Sequence, residues 1–277
     1  ITLQTYASVL EAFSAKFQQA RLADRFERLA RIDSLTGLEN RFAFQERLET
    51  LLGRPEAAAA PIAVFWIDLD RFKDINDSLG HPVGDKVLRG VGERLGRIAA
   101  DRGHVARFGG DEFVFLAEVK SAASAERMAH DVLRALSEPM EGVDMPLDVR
   151  ASMGVAIAPD NGTDPELLLK HADMALYHAK ASGRATFCMF EDSMEERFEK
   201  TRRIEAGLRT AIENNEMELL FQPIVDVRSN VSSCCEALLR WRHPELGEVG
   251  PSEFVPIAET VGLMPAITEW VLQQACA

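Results

Sequence analysis

Apolar and polar positions fall into blocks along the chain, and the period of each block predicts its secondary structure. Residues 1–32 place Leu3, Tyr6, Leu10, Phe13 and Phe17 at a 3-4-3-4 spacing, then change phase before Leu22, Phe26, Leu29 and Ile32. That spacing predicts a helix whose seam suits either a partner helix or the helix's own domain. Asp33-Ser34-Leu35-Thr36-Gly37-Leu38 interrupts it with turn-forming residues, and a second helix is expected over 40–52. Residues 62–67 are almost continuously apolar, the mark of a strand buried on both faces at the centre of a sheet. A helix over 83–99 follows, then two short strands over 105–108 and 112–116 joined through Gly109-Gly110. Beyond them the pattern predicts a helix over 122–136, a strand over 147–158, a helix over 165–181 and a strand over 185–190. After a charged helix over 194–214 the pattern restarts, with strands over 217–225 and 232–241 and helices over 252–260 and 265–275.

Hairpins mix with crossovers in this order of elements, so the expected fold class is α/β (α+β), with a central, largely antiparallel sheet of about five strands flanked by helices. The expected divisions are a signalling or dimerisation helix at 1–32, a catalytic domain at 31–193, and a linker helix with a further fragment at 194–277.

Composition narrows the function classes. A chain of 277 residues, 47% hydrophobic and 27% charged, has the make-up of a globular protein of about two domains. Its longest apolar run, 57–67, contains Pro61 and is short of the roughly 20 residues a membrane helix needs. A net charge of −13, shared by both parts of the chain, leaves no basic face for nucleic acid, so no nucleic-acid partner is expected. Four cysteines without a CxxC spacing suit a reducing, cytoplasmic setting. The chain begins at Ile1 with no signal segment, which suggests a piece of a longer polypeptide whose upstream sensor domain is missing.

Candidate chemistry lies in the carboxylates. Asp68-Leu69-Asp70 stands where the buried strand ends, and Asp111-Glu112 follows the two hairpin glycines. Carboxylates at strand ends can converge on a hard cation such as Mg²⁺, which prefers oxygen ligands and leaves room for phosphate.

These blocks together resemble the GGDEF family, the diguanylate cyclases. Arg107-Phe108-Gly109-Gly110-Asp111-Glu112-Phe113 is similar to its signature. Four other blocks resemble its remaining motifs in order: Asp33-x-Leu35-Thr36-Gly37-Leu38-x-Asn40-Arg41, Asp68-x-Asp70-x-Phe72-Lys73-x-Ile75-Asn76-Asp77, Gly80-His81-x-x-Gly84-Asp85, and Ala172-Asp173 through Lys180 to Gly183-Arg184. The resemblance implies that Asp68 and Asp111 hold Mg²⁺ (or Mn²⁺) with the Leu69 carbonyl. Glu112 would be either a further ligand or the base for a 3′-hydroxyl. Asn76 and Asp85 would read guanine, whose adjacent N1–H and N2–H₂ donors suit a carboxylate and are lacking in adenine. Lys180 and Arg184 would meet phosphate oxygens, Lys73 would stabilise charge developing on the phosphoryl group, and Phe72 would offer backbone to the phosphates and its ring to the core. His81 would lie beside the ribose or base, or serve as a turn histidine with a structural hydrogen bond.

The implied reaction joins two GTP into cyclic di-GMP with loss of two pyrophosphates, which requires a homodimer because one site holds one GTP. Two departures from the family pattern stand out. Where an Arg-x-x-Asp product-inhibition site would lie, the chain has Ala100-Asp101-Arg102-Gly103, so no feedback through that site is expected. Ala185 stands where Asn is usual. From residue 221 onward, Phe221-Gln222-Pro223, Glu236-Ala237-Leu238 and Pro251-x-x-Phe254 resemble the opening of an EAL domain, a cyclic di-GMP phosphodiesterase with a TIM-type barrel. Glu236 would be its first metal ligand. An incomplete barrel of this kind is expected to be inactive as a phosphodiesterase. Two rival readings are a GTP-binding regulatory module that controls an attached EAL domain, and a parent protein acting chiefly as a phosphodiesterase.

Overall fold

The computed structural model describes residues 31–54, 60–139, 147–228 and 230–276. The helix expected over 1–32 therefore lies outside the described residues except for Arg31 and Ile32. The chain divides into two compact units between Glu191 and Asp192.

In the first unit, β1 (Glu39–Asn40), β2 (Ile62–Leu69), β3 (His104–Gly109), β4 (Glu112–Glu118), β5 (Ala151–Ala158) and β6 (Phe187–Met189) form one six-stranded sheet in the order β1-β3-β4-β2-β5-β6. The three inner pairings are antiparallel, and the two outer ones, β1 with β3 and β5 with β6, are parallel. The sheet is thus largely antiparallel, as its hairpins predict. It gains a sixth strand in β1, whose two residues are too short to show a period of their own.

The apolar run of β2 lies in the middle, with Ala63, Phe65 and Ile67 on one face beside Phe113, Phe115, Met153 and Val155. Two helices cover that face: α3 (His81–Ala99), through Val87, Leu88, Val91 and Leu95, and α4 (Ala122–Leu136), through Ala125, Ala129 and Val132. Two more helices, α1 (Arg41–Leu52) and α5 (Pro165–Ala181), bury Phe44, Leu48, Leu168, Ala172 and Ala175. Residues alternate across a strand with period two, so Val64, Trp66 and Asp68 point to the side opposite Phe65 and Ile67. Trp66 lies in register with Gly154 of β5, and there the backbone of α5 comes down onto the sheet. A Cβ on Gly154 would stand 2.8 Å from the Ala175 carbonyl carbon, and closer still to the Ala172 oxygen and Leu176 nitrogen.

Several boundaries differ from the sequence expectation for local reasons. A short helix, α2 (Phe72–Leu79), sits between β2 and α3. Its apolar positions Phe72, Ile75 and Leu79 repeat with helical spacing, but eight residues hold too few of them to stand out. Strand β5 begins at Ala151 rather than at 147, and β6 begins at Phe187 because Arg184 and Ala185 take left-handed backbone angles, φ 65° and 51°.

The second unit contains α6 (Ser193–Leu208), an antiparallel sheet of β7 (Met217–Val225), β8 (Ser232–His243) and β9 (Gly247–Val249), and helices α7 (Pro251–Thr260) and α8 (Met264–Ala275). Trp241, Phe254 and Ile267 centre its core. Helix α6 ends at Leu208 rather than at 214, because residues 209–215 run on as tighter turns, with the Thr210 N–H donating to the Gly207 carbonyl, and Asn215 closes them at φ 55°. Among the described residues these three strands form an open sheet and no closed barrel.

Candidate active site

The register of the sheet builds the site. Asp68, the penultimate residue of β2, pairs directly with Glu112 at the start of β4. The Leu69 N–H donates to the Asp111 carbonyl at 3.3 Å, which brings the hairpin turn against the end of β2. Gly110 makes that turn at φ 49°, a left-handed angle that glycine adopts without strain. Helix α5 reaches the same point from below the sheet, and Lys180 Nζ lies 2.8 Å from Asp68 Oδ2.

Crowding of like charge shows in the proton affinities. Burial pushes the Asp68 carboxyl up, the Lys180 ammonium pulls it down, and Asp111 and Asp70 raise it again, for a net upward shift. Glu112 is also raised, first by burial and then by the carboxylates of Asp68, Asp173 and Asp111, with Lys180 opposing. A low-dielectric pocket that holds several carboxylates favours a cation or a proton. Among the described residues no cluster of three or more His, Cys, Asp or Glu side chains is already closed into a metal cage. Mg²⁺ does not demand one, since it binds through one or two carboxylates, waters and substrate phosphates. The donor set of Asp68, Asp111 and Glu112 fits that ion.

Asn76 and Asp85 come from α2 and α3. The Asn76 side chain lies over Gly84, where a Cβ would meet it and would stand 3.1 Å from the Phe72 ring. Phe72 is buried in the core. His81 and Asp85 are one turn apart on α3, and His81 and Lys73 are both exposed. Arg184 stands in the turn after α5 and lines a cavity with Arg71 and Arg150. Glu236 sits exposed on β8, in the second unit, in register with Gln222.

Three arrangements escape sequence reasoning. Arg107 spans the hairpin: its Nη1 donates to both Asp33 oxygens at 3.1 and 3.2 Å, while Nε and Nη2 donate to the Gly110 carbonyl at 3.0 and 2.6 Å. Asp33 also accepts from the Thr36 N–H at 2.9 Å and the Thr36 hydroxyl at 2.7 Å. Asp70 is a brace, since its Oδ1 accepts from the Ser152 hydroxyl at 2.7 Å and its Oδ2 from the Ala185 N–H at 2.9 Å. Asp173, on α5, adds its charge to the environment of Glu112. All three sit in motif blocks, but the sequence holds no sign of which partner each one meets.

Fold and site together define an α/β domain with carboxylates and a lysine gathered at the end of its central strand, and comparison with known proteins gives it a family. Residues 30–186 match the family model for the GGDEF domain of diguanylate cyclases, and residues 205–277 match that of the EAL domain. The chain belongs to the GGDEF diguanylate cyclase family, with an EAL-family stretch following.

It is 39% identical over 248 residues to the cyclic di-GMP phosphodiesterase NbdA of Pseudomonas aeruginosa, covering 90% of this chain and 32% of that protein. It is 38% identical over 257 residues to the bifunctional diguanylate cyclase/cyclic di-GMP phosphodiesterase MucR of the same organism, covering 93% of this chain and 38% of that protein. The chain thus spans about a third of the length of these relatives. Among solved structures, the GGDEF domain of TpbB (YfiN) from Pseudomonas aeruginosa matches with TM-score 0.58 and 36% identity, over 61% of this chain and 99% of that one. The coiled coil and GGDEF domain of DgcB from Caulobacter crescentus, in complex with c-di-GMP, matches with TM-score 0.60 and 26% identity, over 67% of this chain and 98% of that one. No helix among the described residues is long and apolar enough to cross a membrane.

Proposed function

We propose that the first unit is a diguanylate cyclase that condenses two GTP into cyclic di-GMP and releases two pyrophosphates. The observation that carries this reading is the meeting of Asp68 and Glu112 across the β2–β4 register, with the Lys180 ammonium on Asp68. Asp68, Asp111 and the Leu69 carbonyl hold Mg²⁺ (or Mn²⁺), which supplies charge neutralisation at the reacting phosphate. Glu112, whose carboxyl is pushed up by burial and by the neighbouring carboxylates, either adds a ligand to that ion or accepts the proton of the attacking 3′-hydroxyl. The 3′-oxygen forms its bond to the α-phosphorus of the other GTP while the bond to pyrophosphate breaks. Lys180 exchanges Asp68 for phosphate oxygens, Arg184 adds a planar fork, and Lys73 stabilises developing charge. Asn76 and Asp85 select guanine, with His81 beside them at the start of α3. One such site holds one nucleotide, so turnover takes two copies facing each other.

A second reading, a GTP-binding regulatory module for an attached EAL phosphodiesterase, is favoured by the naming of NbdA, similar over 90% of this chain, as a phosphodiesterase. Incubation with GTP and Mg²⁺ at two protein concentrations, with chromatographic separation of the nucleotides and Glu112→Ala as control, separates the two. Cyclic di-GMP formed faster than linearly with protein, and absent in the variant, supports the cyclase. Bound GTP without product at either concentration supports the module.

A further inference from the structure

Asp70 stands one residue past the end of β2, in the same block as Asp68, yet both of its carboxylate oxygens are committed to protein donors. Oδ1 accepts from the Ser152 hydroxyl at 2.7 Å and Oδ2 from the Ala185 N–H at 2.9 Å. The Asp70 N–H donates to the Arg150 carbonyl at 2.9 Å, which carries the β2–β5 ladder past Leu69 and Ala151. Ser152 is fully buried and in register with Asp68, so the hydroxyl that orients Asp70 is itself fixed by the sheet. One carboxylate thereby joins the end of β2, the start of β5 and the turn after α5.

That turn closes the helix tightly. The Ser182 N–H donates to the His178 carbonyl at 3.0 Å and the Arg184 N–H to the Ala179 carbonyl at 3.3 Å, with Gly183 at φ 115°, so the stretch from Lys180 to Ala185 moves as one piece. Arg184 and Ala185 both take left-handed angles, which cost a residue bearing a Cβ conformational energy that glycine escapes and asparagine tolerates. Ala185 stands where the family pattern has Asn, and its methyl brings no hydrogen bond to offset that cost. The Asp70 bond uses the main-chain N–H, which alanine keeps. One residue on, the Thr186 carbonyl accepts from the Met153 N–H at 2.9 Å and leads into β6. Asp70 therefore fastens the last residue between helix and strand, while the Gly154 contact sets how low the middle of α5 lies on the sheet.

We propose that Asp70 is a positioning residue: by anchoring the turn that ends α5, it sets Lys180 against Asp68 and aims Arg184. What Lys180 and Arg184 then do rests on the cyclase reading. Asp70 acts by geometry rather than by its charge or by holding a metal, so a neutral amide in its place suffices. The amide oxygen accepts from the Ala185 N–H, and the amide N–H donates to the Ser152 hydroxyl, which accepts as readily as it donates.

The test is calorimetric titration of the whole chain with GTP and Ca²⁺, with circular dichroism to establish folding, for the parent, Asp70→Ala, Asp70→Asn, Arg184→Ala, and Asp70→Ala combined with Arg184→Ala or with Ala185→Asn. Asp70→Ala should weaken GTP about tenfold, the loss of one charge-assisted hydrogen bond expressed through the groups it places. Asp70→Asn should stay within about threefold of the parent. The Asp70→Ala/Arg184→Ala double should lose at least about threefold less than the product of the two single losses, because both changes act on one turn. Ala185→Asn, which accepts the left-handed angle more readily, should restore Asp70→Ala by about threefold or more. A folded Asp70→Ala within twofold of the parent, Asp70→Asn as weak as Asp70→Ala, fully multiplicative losses with Arg184→Ala, or no recovery with Ala185→Asn each overturns the proposal. Should Asp70→Ala not fold, Ser152→Ala takes its place, with about threefold weakening expected and no weakening overturning the anchor. The titrations need no turnover, so a parent that shows this pattern but makes no cyclic di-GMP removes the cyclase reading and leaves Asp70 as the anchor of a nucleotide site, whereas a parent that binds no GTP overturns both.

Discussion

Gly154→Ala tests whether the close approach of α5 to the sheet is what assembles the site. The added methyl would stand 2.8 Å from the Ala175 carbonyl carbon and closer still to two other backbone atoms of the same helix, Ala172 oxygen and Leu176 nitrogen. Ordinary contact for such atoms is about 3.5 Å. Because all three obstacles are backbone, no rotamer change relieves them, and α5 must retreat by roughly 1–1.5 Å over its contact with β5 and β2. Overpacking normally costs about 1–3 kcal/mol. Here the retreat also loosens Leu168, Ala172, Ala175 and Ala179, all buried against the sheet, so a loss of about 3–4 kcal/mol is expected. The same movement draws Lys180 away from Asp68, now 2.8 Å apart, so cyclic di-GMP formation should fall at least about tenfold in whatever fraction stays folded. Urea unfolding followed by circular dichroism gives the first number, and product chromatography at a temperature where the variant is folded gives the second. A variant within about 1 kcal/mol of the parent and fully active would refute the claim that backbone contact at Gly154 positions the catalytic helix.

Gly84→Ala makes the contrasting case, because there the methyl meets the side chain of Asn76, which can move. Stability should drop by less than about 1.5 kcal/mol while KM for GTP rises several-fold, read from steady-state kinetics beside a urea titration. Asp85→Asn should weaken discrimination of GTP against ATP, measured by competition binding, since an amide cannot accept from both guanine donors as a carboxylate does. Asp33→Asn should reduce stability by about 2–3 kcal/mol, because the carboxylate accepts from Arg107 and twice from Thr36. Burial acts to raise the Asp33 carboxyl, but the Thr36 and Arg107 hydrogen bonds outweigh it and hold the carboxyl below its ordinary 3.8. The folded state then binds fewer protons than the unfolded one, so this contribution is complete above the ordinary value and is lost as pH falls through the lowered one. Urea midpoints measured downward from about pH 6 should fall less steeply in Asp33→Asn than in the parent, and identical slopes would contradict the assignment.

Local pattern carried the element list far. Helices α4 and α5 and strand β7 lie where the periodicity places them, because burial of one helix face or of a whole strand is written into neighbouring residues. The carboxylates at the end of β2 and after the hairpin glycines were legible too, as residue types at turns. What the pattern missed was short or bent: β1 with two residues, α2 with eight, and the start of β6, delayed by two left-handed residues.

The sequence by itself therefore determined which segments are helix and strand, which family the blocks resemble, and which side chains could do chemistry. The tertiary structure alone decided who meets whom. Arg107 finds Asp33 at a separation of 74 residues, Asp70 finds Ser152 at 82 and Ala185 at 115, and Arg71 and Arg184 come to line one cavity. The physical reason is that such pairs are set by strand register and by how closely α5 can settle over Gly154. Those quantities belong to the packed sheet as a whole, and no stretch of neighbouring residues encodes them.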